Sequence, residues 1–265
     1  MPADFMNIAH RGASAYCPEN TLAAFIKAIN TGIKYIECDI RLSKDGHLVV
    51  IHDKKIDRTT NGKGIVSDFN LTDLKKLDAG LWFGPKYKDE RIPTLSEVFD
   101  LLEKYKDIKL VLEIKDSNYF PEITEKAVNM IKKRNMINRV NVSAFYWDVL
   151  EKVKKIEKNI ETSALIEFST KKDYFSLIND GAPVNIYNNI NNLIKDATKF
   201  NVNVVCPPAC NTDEEIIKML HENSFKVRLW GVGENIEDSF LRKLIKWRID
   251  GLTINDPYIV EKLLN

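Results

Sequence analysis

The sequence predicts an α/β fold, a single closed (β/α)8 barrel with a small hairpin insertion after the second strand, and three observations carry that reading. Short apolar runs alternate with helix-period segments from end to end, as βα units on a parallel sheet require. About eight such runs can be placed along the chain, which is the number a closed barrel needs. No Pro/Gly/Ser linker, low-complexity tract or long-period repeat divides the 265 residues, so one domain over 1–265 is the simpler organisation. A doubly wound open sheet is the alternative. Its dinucleotide fingerprint is missing, because the first strand runs into His10-Arg11-Gly12-Ala13-Ser14 rather than G-x-G-x-x-G, and Asn61-Gly62-Lys63-Gly64 lacks P-loop spacing.

In chain order, strands are predicted near 5–9, 35–41, 109–114, 139–143, 162–166, 202–206, 226–231 and 250–254. The stretch 48–52 follows the turn Lys44-Asp45-Gly46 too closely to be a crossover and reads as a hairpin return. Between strands the apolar positions take helical spacing: Leu22, Phe25, Ile26 and Ile29; Leu95, Val98, Phe99 and Leu102; and Phe240, Leu241, Leu244 and Ile245. Thr94-Leu95-Ser96-Glu97 and Thr212-Asp213-Glu214-Glu215 have the form of capping boxes, and Pro18-Glu19-Asn20-Thr21 reads as a turn and helix cap. The aromatic segment 81–90 is either a rim over a pocket or a packed surface loop.

Composition excludes several classes of function. Lys and Arg number 39 against 38 Asp and Glu, a net charge of +1 that argues against a nucleic-acid binder or a polybasic membrane-surface protein. A hydrophobic share of 44% is globular, and no apolar run reaches the ~18 residues of a membrane span. The segment Met1–Met6 has no basic region, apolar stretch or cleavage site, so a signal peptide is not expected. Four cysteines, Cys17, Cys38, Cys206 and Cys210, make no disulfide framework and suit a reducing cytoplasm. Cys206-Pro-Pro-Ala-Cys210 has no partners at zinc-site spacing and reads as ordinary thiols.

Polar residues at strand ends are the candidates for chemistry. Glu37 and Asp39 stand two apart in an apolar strand and so share a face; Glu113 and Lys115 do the same in the third strand. If these faces point inward, three carboxylates meet at the C-terminal rim, where barrel active sites are built. Carboxylates ~4 Å apart repel by about 4 kcal/mol at an effective dielectric near 20, so a hard divalent cation, Mg²⁺ or Ca²⁺, is the expected compensation. The alternative is that Glu37 and Asp39 pair with Lys or Arg on an exposed edge. His10 and His52 end strands beside these acids and beside Arg11, and imidazoles suit acid–base chemistry near neutral pH. With the cation, Arg11 and Lys115 counted against the three acids, the site keeps one net positive charge, which fits a phosphodiester that gains negative charge as it reacts. Trp230 is either a core aromatic or an apolar wall against substrate. Arg58-Thr59-Thr60 reads as a brace for the loop after His52.

The ordered set Ile8-Ala9-His10-Arg11-Gly12, Pro18-Glu19-Asn20-Thr21, Glu37-Cys38-Asp39, Val49-Val50-Ile51-His52-Asp53, Arg58-Thr59-Thr60-Asn61-Gly62 and Glu113-Ile114-Lys115 resembles the glycerophosphodiester phosphodiesterase family. Leu77-Asp78-Ala79-Gly80, Ile92-Pro93-Thr94-Leu95 and Asn255-Asp256-Pro257 extend the resemblance over nearly the whole chain. It implies a TIM-barrel hydrolase that splits small-molecule glycerophosphodiesters, such as glycerophosphocholine or glycerophosphoethanolamine, into glycerol 3-phosphate and an alcohol. By residue match it implies His10 and His52 as general acid and base and Glu37, Asp39 and Glu113 as ligands of one divalent cation, Mg²⁺ or Ca²⁺. Arg11 and Lys115, with Trp230, would contact substrate. A lysophospholipase D and a non-catalytic binding barrel are the competing readings. The chain departs from the family at Ser143-Ala144-Phe145, at Trp230-Gly231-Val232-Gly233 and at Ile254-Asn255, which bears on substrate specificity.

Overall fold

The computed structural model describes residues 5–115, 121–168, 185–232 and 237–264. The first four residues of the N-terminal segment and Gly233 lie outside them. Eight strands close the barrel: β1 (Met6–Ala9), β2 (Tyr35–Leu42), β4 (Lys109–Ile114), β5 (Val140–Ala144), β6 (Glu161–Leu165), β9 (Val204–Cys206), β10 (Lys226–Leu229) and β11 (Gly251–Ile254). Every pairing in the ring is parallel, and β1 bonds both β2 and β11, which closes it. Strand β3 (Leu48–Val50) returns antiparallel against β2 as the predicted hairpin.

The helices lie between strands: α1 (Leu22–Asn30), α3 (Leu95–Lys104) after the short α2 (Leu71–Leu74), α4 (Glu122–Lys133), α5 (Trp147–Ile156), α6 (Ile190–Lys199), α7 (Glu214–Glu222), α8 (Asp238–Lys246) and α9 (Pro257–Leu264). Alternation along each strand divides the core. Outward residues such as Ile36, Cys38, Ile40, Leu110, Leu112 and Val142 pack under the helices in the main apolar cluster, with Phe25 and Phe99. Inward residues form two smaller clusters, Met6, Ile8 and Val111 on one side and Leu165, Val204 and Cys206 with Phe145 and Trp230 on the other. The insertion after β3 has its own cluster, Val49, Ile51, Ile56, Val66, Leu74, Ala79 and Ile92.

Several details differ from the sequence reading, each for a local reason. The strand predicted from 202 starts at Val204, because the Val202 amide still bonds the Ala197 carbonyl at the end of α6. The strand predicted to 231 stops at Leu229, just before Gly231 turns left-handed at φ 73°. Ile26 sits at the edge of its stripe and is exposed, whereas Leu95, Val98, Phe99 and Leu102 are fully buried. Thr94 and Glu97 form the expected capping box. At α7 the cap is Asp213, one residue later than expected, because the Thr212 hydroxyl is spent donating to the Pro208 carbonyl. A two-stranded parallel pair, β7 (Glu167–Phe168) with β8 (Ile186–Tyr187), was not anticipated; two-residue strands leave no periodicity to read. The 81–90 segment is a packed loop: Asp78 accepts from the amides of Gly80, Leu81 and Asp89, and the Tyr87 hydroxyl donates to the Tyr16 carbonyl.

Candidate active site

The inward face of β2 carries Glu37 and Asp39, 3% and 0% exposed, and Asp39 stands directly opposite Glu113, near the C-terminal end of β4. Register therefore brings the three carboxylates together, with one oxygen from each within 4.8 Å of the others. Two cations share the rim. Lys115 bonds Glu113 and lies 3.2 Å from Asp39, and the Arg11 Nε lies 3.4 Å from Asp39.

Arg11 gets there through its backbone. It takes the left-handed region at φ 55°, and its amide donates to Glu37 Oε2 at 2.7 Å. Gly12 follows at φ 80°, and a Cβ there would stand 2.7 Å from the Ala24 carbonyl carbon. Only glycine lets the loop lie this close to α1. Asn20, also left-handed at φ 57°, clamps Asp39 from both ends: its Nδ2 donates to Asp39 Oδ2 at 2.9 Å and its Oδ1 accepts from the Asp39 amide at 3.3 Å. The cap of α1 is Thr21.

His10 follows β1, and its Nδ1 meets Asn255 Oδ1, after β11, at 2.6 Å. An amide oxygen only accepts, so Nδ1 carries the hydrogen and Nε2 keeps its lone pair. Burial, reinforced by Arg11, lowers the pKa of His10 to about 3. His52, just past β3, pairs its Nδ1 with the Asp53 carboxylate at 2.8 Å; burial and then Lys115 lower its pKa as well. Asp53 is held in turn by Arg58, whose guanidinium also clasps Glu19, and Glu19 reaches Arg11 at 2.8 Å. Arg58 is thus the brace that the sequence led us to expect.

The electrostatics of the acids are uneven. Burial, then Asp39 and Glu113, push Glu37 well above its ordinary pKa. For Asp39 burial acts upward too, but Lys115, His52 and Arg11 outweigh it and hold the carboxyl well below its ordinary range. Glu37 Oε1 is buried with no hydrogen-bond partner. A crowded all-oxygen donor set with an unsatisfied buried oxygen fits a hard divalent cation. Among the described residues this is the one such cluster of potential ligands; Cys206 and Cys210 are free thiols.

A sequence profile of the "Glycerophosphoryl diester phosphodiesterase family" matches residues 10–259. The chain is 38% identical over 259 residues to "Glycerophosphodiester phosphodiesterase" of Caldanaerobacter subterraneus subsp. tengcongensis, across 97% of this chain and 96% of that one. The chain belongs to the glycerophosphoryl diester phosphodiesterase family. Among solved structures it is similar to an Oleispira antarctica phosphodiesterase in complex with the product sn-glycerol-3-phosphate, at TM-score 0.82 and 26% identity over 97% of this chain and 95% of that one. It is also similar to the glycerophosphodiester phosphodiesterase of Thermotoga maritima, at TM-score 0.73 and 27% identity over 97% and 96% of the two chains.

Of the residues singled out in the sequence, His10, Arg11, Glu37, Asp39, His52, Glu113 and Lys115 come together on β1, β2, the hairpin and β4. Trp230 stands across the barrel, its Nε1 donating to the Cys206 carbonyl at 2.8 Å and its ring edge-on to Phe145 at 5.4 Å. Glu19, Asn20, Asp53 and Asn255 were not among the predicted site residues. Their signal was available in the polar residues Glu19-Asn20 of a turn and in the acid that directly follows His52, but a polar turn residue is usually solvated and gives no reason to single it out.

Proposed function

We propose that the chain hydrolyses glycerophosphodiesters to glycerol 3-phosphate and an alcohol. The observation that carries the reading is the meeting of three carboxylates, two cations and two imidazoles at the rim of one barrel. Glu37, Asp39 and Glu113 would hold one divalent cation, Mg²⁺ or Ca²⁺, because their oxygens suit either hard ion and Glu37 Oε1 lacks a partner. Bound there, such an ion supplies neutralisation of charge on the phosphoryl oxygens.

Arg11 binds the phosphate from one side and Lys115 from the other, so a monoanionic diester replaces part of the interaction each makes with Asp39. His10 and His52 move the protons. Each has Nδ1 fixed by an acceptor, Asn255 or Asp53, which aims Nε2 at the substrate. One imidazole, neutral with its Nε2 lone pair free, takes a proton from the attacking oxygen, and the other, protonated on both ring nitrogens, delivers its Nε2 proton to the leaving alcohol. The Asp53–Arg58–Glu19 chain keeps His52 in place. Trp230 and Phe145 line the apolar side. The substrate is a small molecule, and no helix among the described residues is long and apolar enough to cross a membrane. Four free cysteines suit a reducing cytoplasm.

A coupled assay of glycerol 3-phosphate release, run with chelator and after add-back of Mg²⁺ or Ca²⁺, tests the reading. Activity is expected to be lost in chelator and restored by metal. His10→Ala and His52→Ala should each lower kcat by about 10²–10⁴-fold with the fold intact. Undiminished turnover by either variant would remove it from the acid–base pair.

A further inference from the structure

Resting on the phosphodiesterase reading, we propose that Glu167 is a specificity residue for the alcohol, its carboxylate favouring an alcohol that bears an ammonium group over a neutral one.

The mouth of the barrel has two unlike halves. In the ring of strands β6 stands across from β1, β9 from β2 and β10 from β4. The first half, on β1, β2 and β4, holds the acids, Arg11, Lys115 and both histidines. The second is apolar: Leu165, Val204 and Cys206 with Phe145 and Trp230. One carboxylate belongs to this second half. Strand alternation puts Leu165 inward, while Ile166 and Phe168 pack outward in the main cluster, so Glu167 of β7 shares the inward side with Leu165.

Hydrogen bonds tie the Glu167 backbone to the segments that carry the aromatic pair. The Ile166 amide and the Trp230 indole both donate to the Cys206 carbonyl, at 3.2 and 2.8 Å. The Glu167 amide donates to the Asn185 carbonyl at 3.0 Å, and the Asn185 side chain donates to the Phe145 carbonyl at 2.8 Å. Glu167 is 9% exposed, and among the described residues its carboxylate makes no ion pair or hydrogen bond. Burial alone pushes its pKa up to about 7.

A buried carboxylate without a cation costs free energy that a bound cation removes. The two aromatic rings on the same half of the mouth supply the other surface that ammonium groups prefer. With the phosphate held by Arg11 and Lys115, an ammonium on the alcohol is repelled by that half of the site and attracted to the opposite one. The uncharged glycerol arm needs no such partner.

The experiment compares kcat/KM for glycerophosphocholine with that for glycerophosphoglycerol, whose alcohol is neutral, by glycerol 3-phosphate release in metal-replete enzyme. For E167Q the choline-to-glycerol ratio is expected to fall about 10–100-fold, chiefly through KM, as loss of a charged partner predicts. E167D should keep the ratio within about threefold of wild type. An unchanged ratio in E167Q would overturn the proposal. The unmodified protein gives a second measurement: choline should inhibit glycerophosphoglycerol hydrolysis competitively, at least tenfold more strongly than its neutral isostere 3,3-dimethylbutan-1-ol. Equal inhibition by the two would overturn the proposal while leaving the phosphodiesterase reading standing. Wild-type enzyme that releases glycerol 3-phosphate from neither diester would overturn that reading and the proposal together.

Discussion

Glu37 shows how one residue carries the conflict between folding and function. Its side chain is buried, accepts the Arg11 amide through Oε2, leaves Oε1 unpartnered and faces two other carboxylates. Because burial and those neighbours raise its pKa, the folded chain binds that proton more tightly than the unfolded one. The ionised form therefore costs stability at every pH above the ordinary carboxylate range. Gln removes the charge yet can still accept from the Arg11 amide. In chelator at neutral pH, E37Q should raise Tm by about 2–6 °C while abolishing activity. Added Mg²⁺ or Ca²⁺ should raise the Tm of the wild type and leave that of the variant unmoved, because the proposed ligand set is then incomplete. Differential scanning calorimetry checks both, and an E37Q protein less stable than wild type in chelator would contradict the account.

At the scale of the element, the loop between β1 and α1 does more for the site than any strand. It supplies His10, Arg11 and Glu19, and it holds its path through left-handed Arg11, Gly12 and Asn20. Gly12 and Gly32 make a controlled comparison, since both have positive φ, at 80° and 90°, but only Gly12 is crowded. G32A should cost about 1–2 kcal/mol, the price of the left-handed backbone. G12A adds the clash with Ala24 and should cost about 3 kcal/mol or more and lower kcat/KM at least tenfold, because the Arg11 amide moves off Glu37. Urea unfolding and the release assay measure the two effects. The same loop marks where sequence reading ran short. Alternation within β2 and β4 was enough to place Glu37, Asp39 and Glu113 on shared faces, because period two is a local property. The clamp of Asn20 on Asp39 joins two elements through a non-glycine left-handed residue, and neither its backbone state nor its distant partner leaves a mark on the pattern.

Over the whole molecule, closure of the barrel joins residues far apart in the chain. His10 meets Asn255, and the His10 amide bonds the Ile254 carbonyl, so the first and last strands hold one imidazole between them. The eight-strand order was legible because apolar runs and helical stripes alternate along the chain; the β7–β8 pair and the ion network between loops were not, because they depend on which loops the closed ring brings together. That network, Arg11–Glu19–Arg58–Asp53, ties the β1 loop to the segment after the hairpin and has a pH signature. Burial acts to raise the pKa of Glu19, but its bonds to Arg58 and Arg11 outweigh it and lower it to about 2 from 4.5. A lowered folded-state pKa means stability that is fully present above the unfolded value and lost as the pH falls through the folded one. Arg58 is 44% exposed, and solvent screening reduces the contribution to about 1–2 kcal/mol. The Tm of the wild type should therefore fall between about pH 4.5 and 2. E19Q should be less stable than wild type at pH 7, with the difference shrinking towards zero near pH 2. A difference independent of pH would show that Glu19 acts through packing rather than through charge, and calorimetric scans of both proteins across that interval distinguish the two.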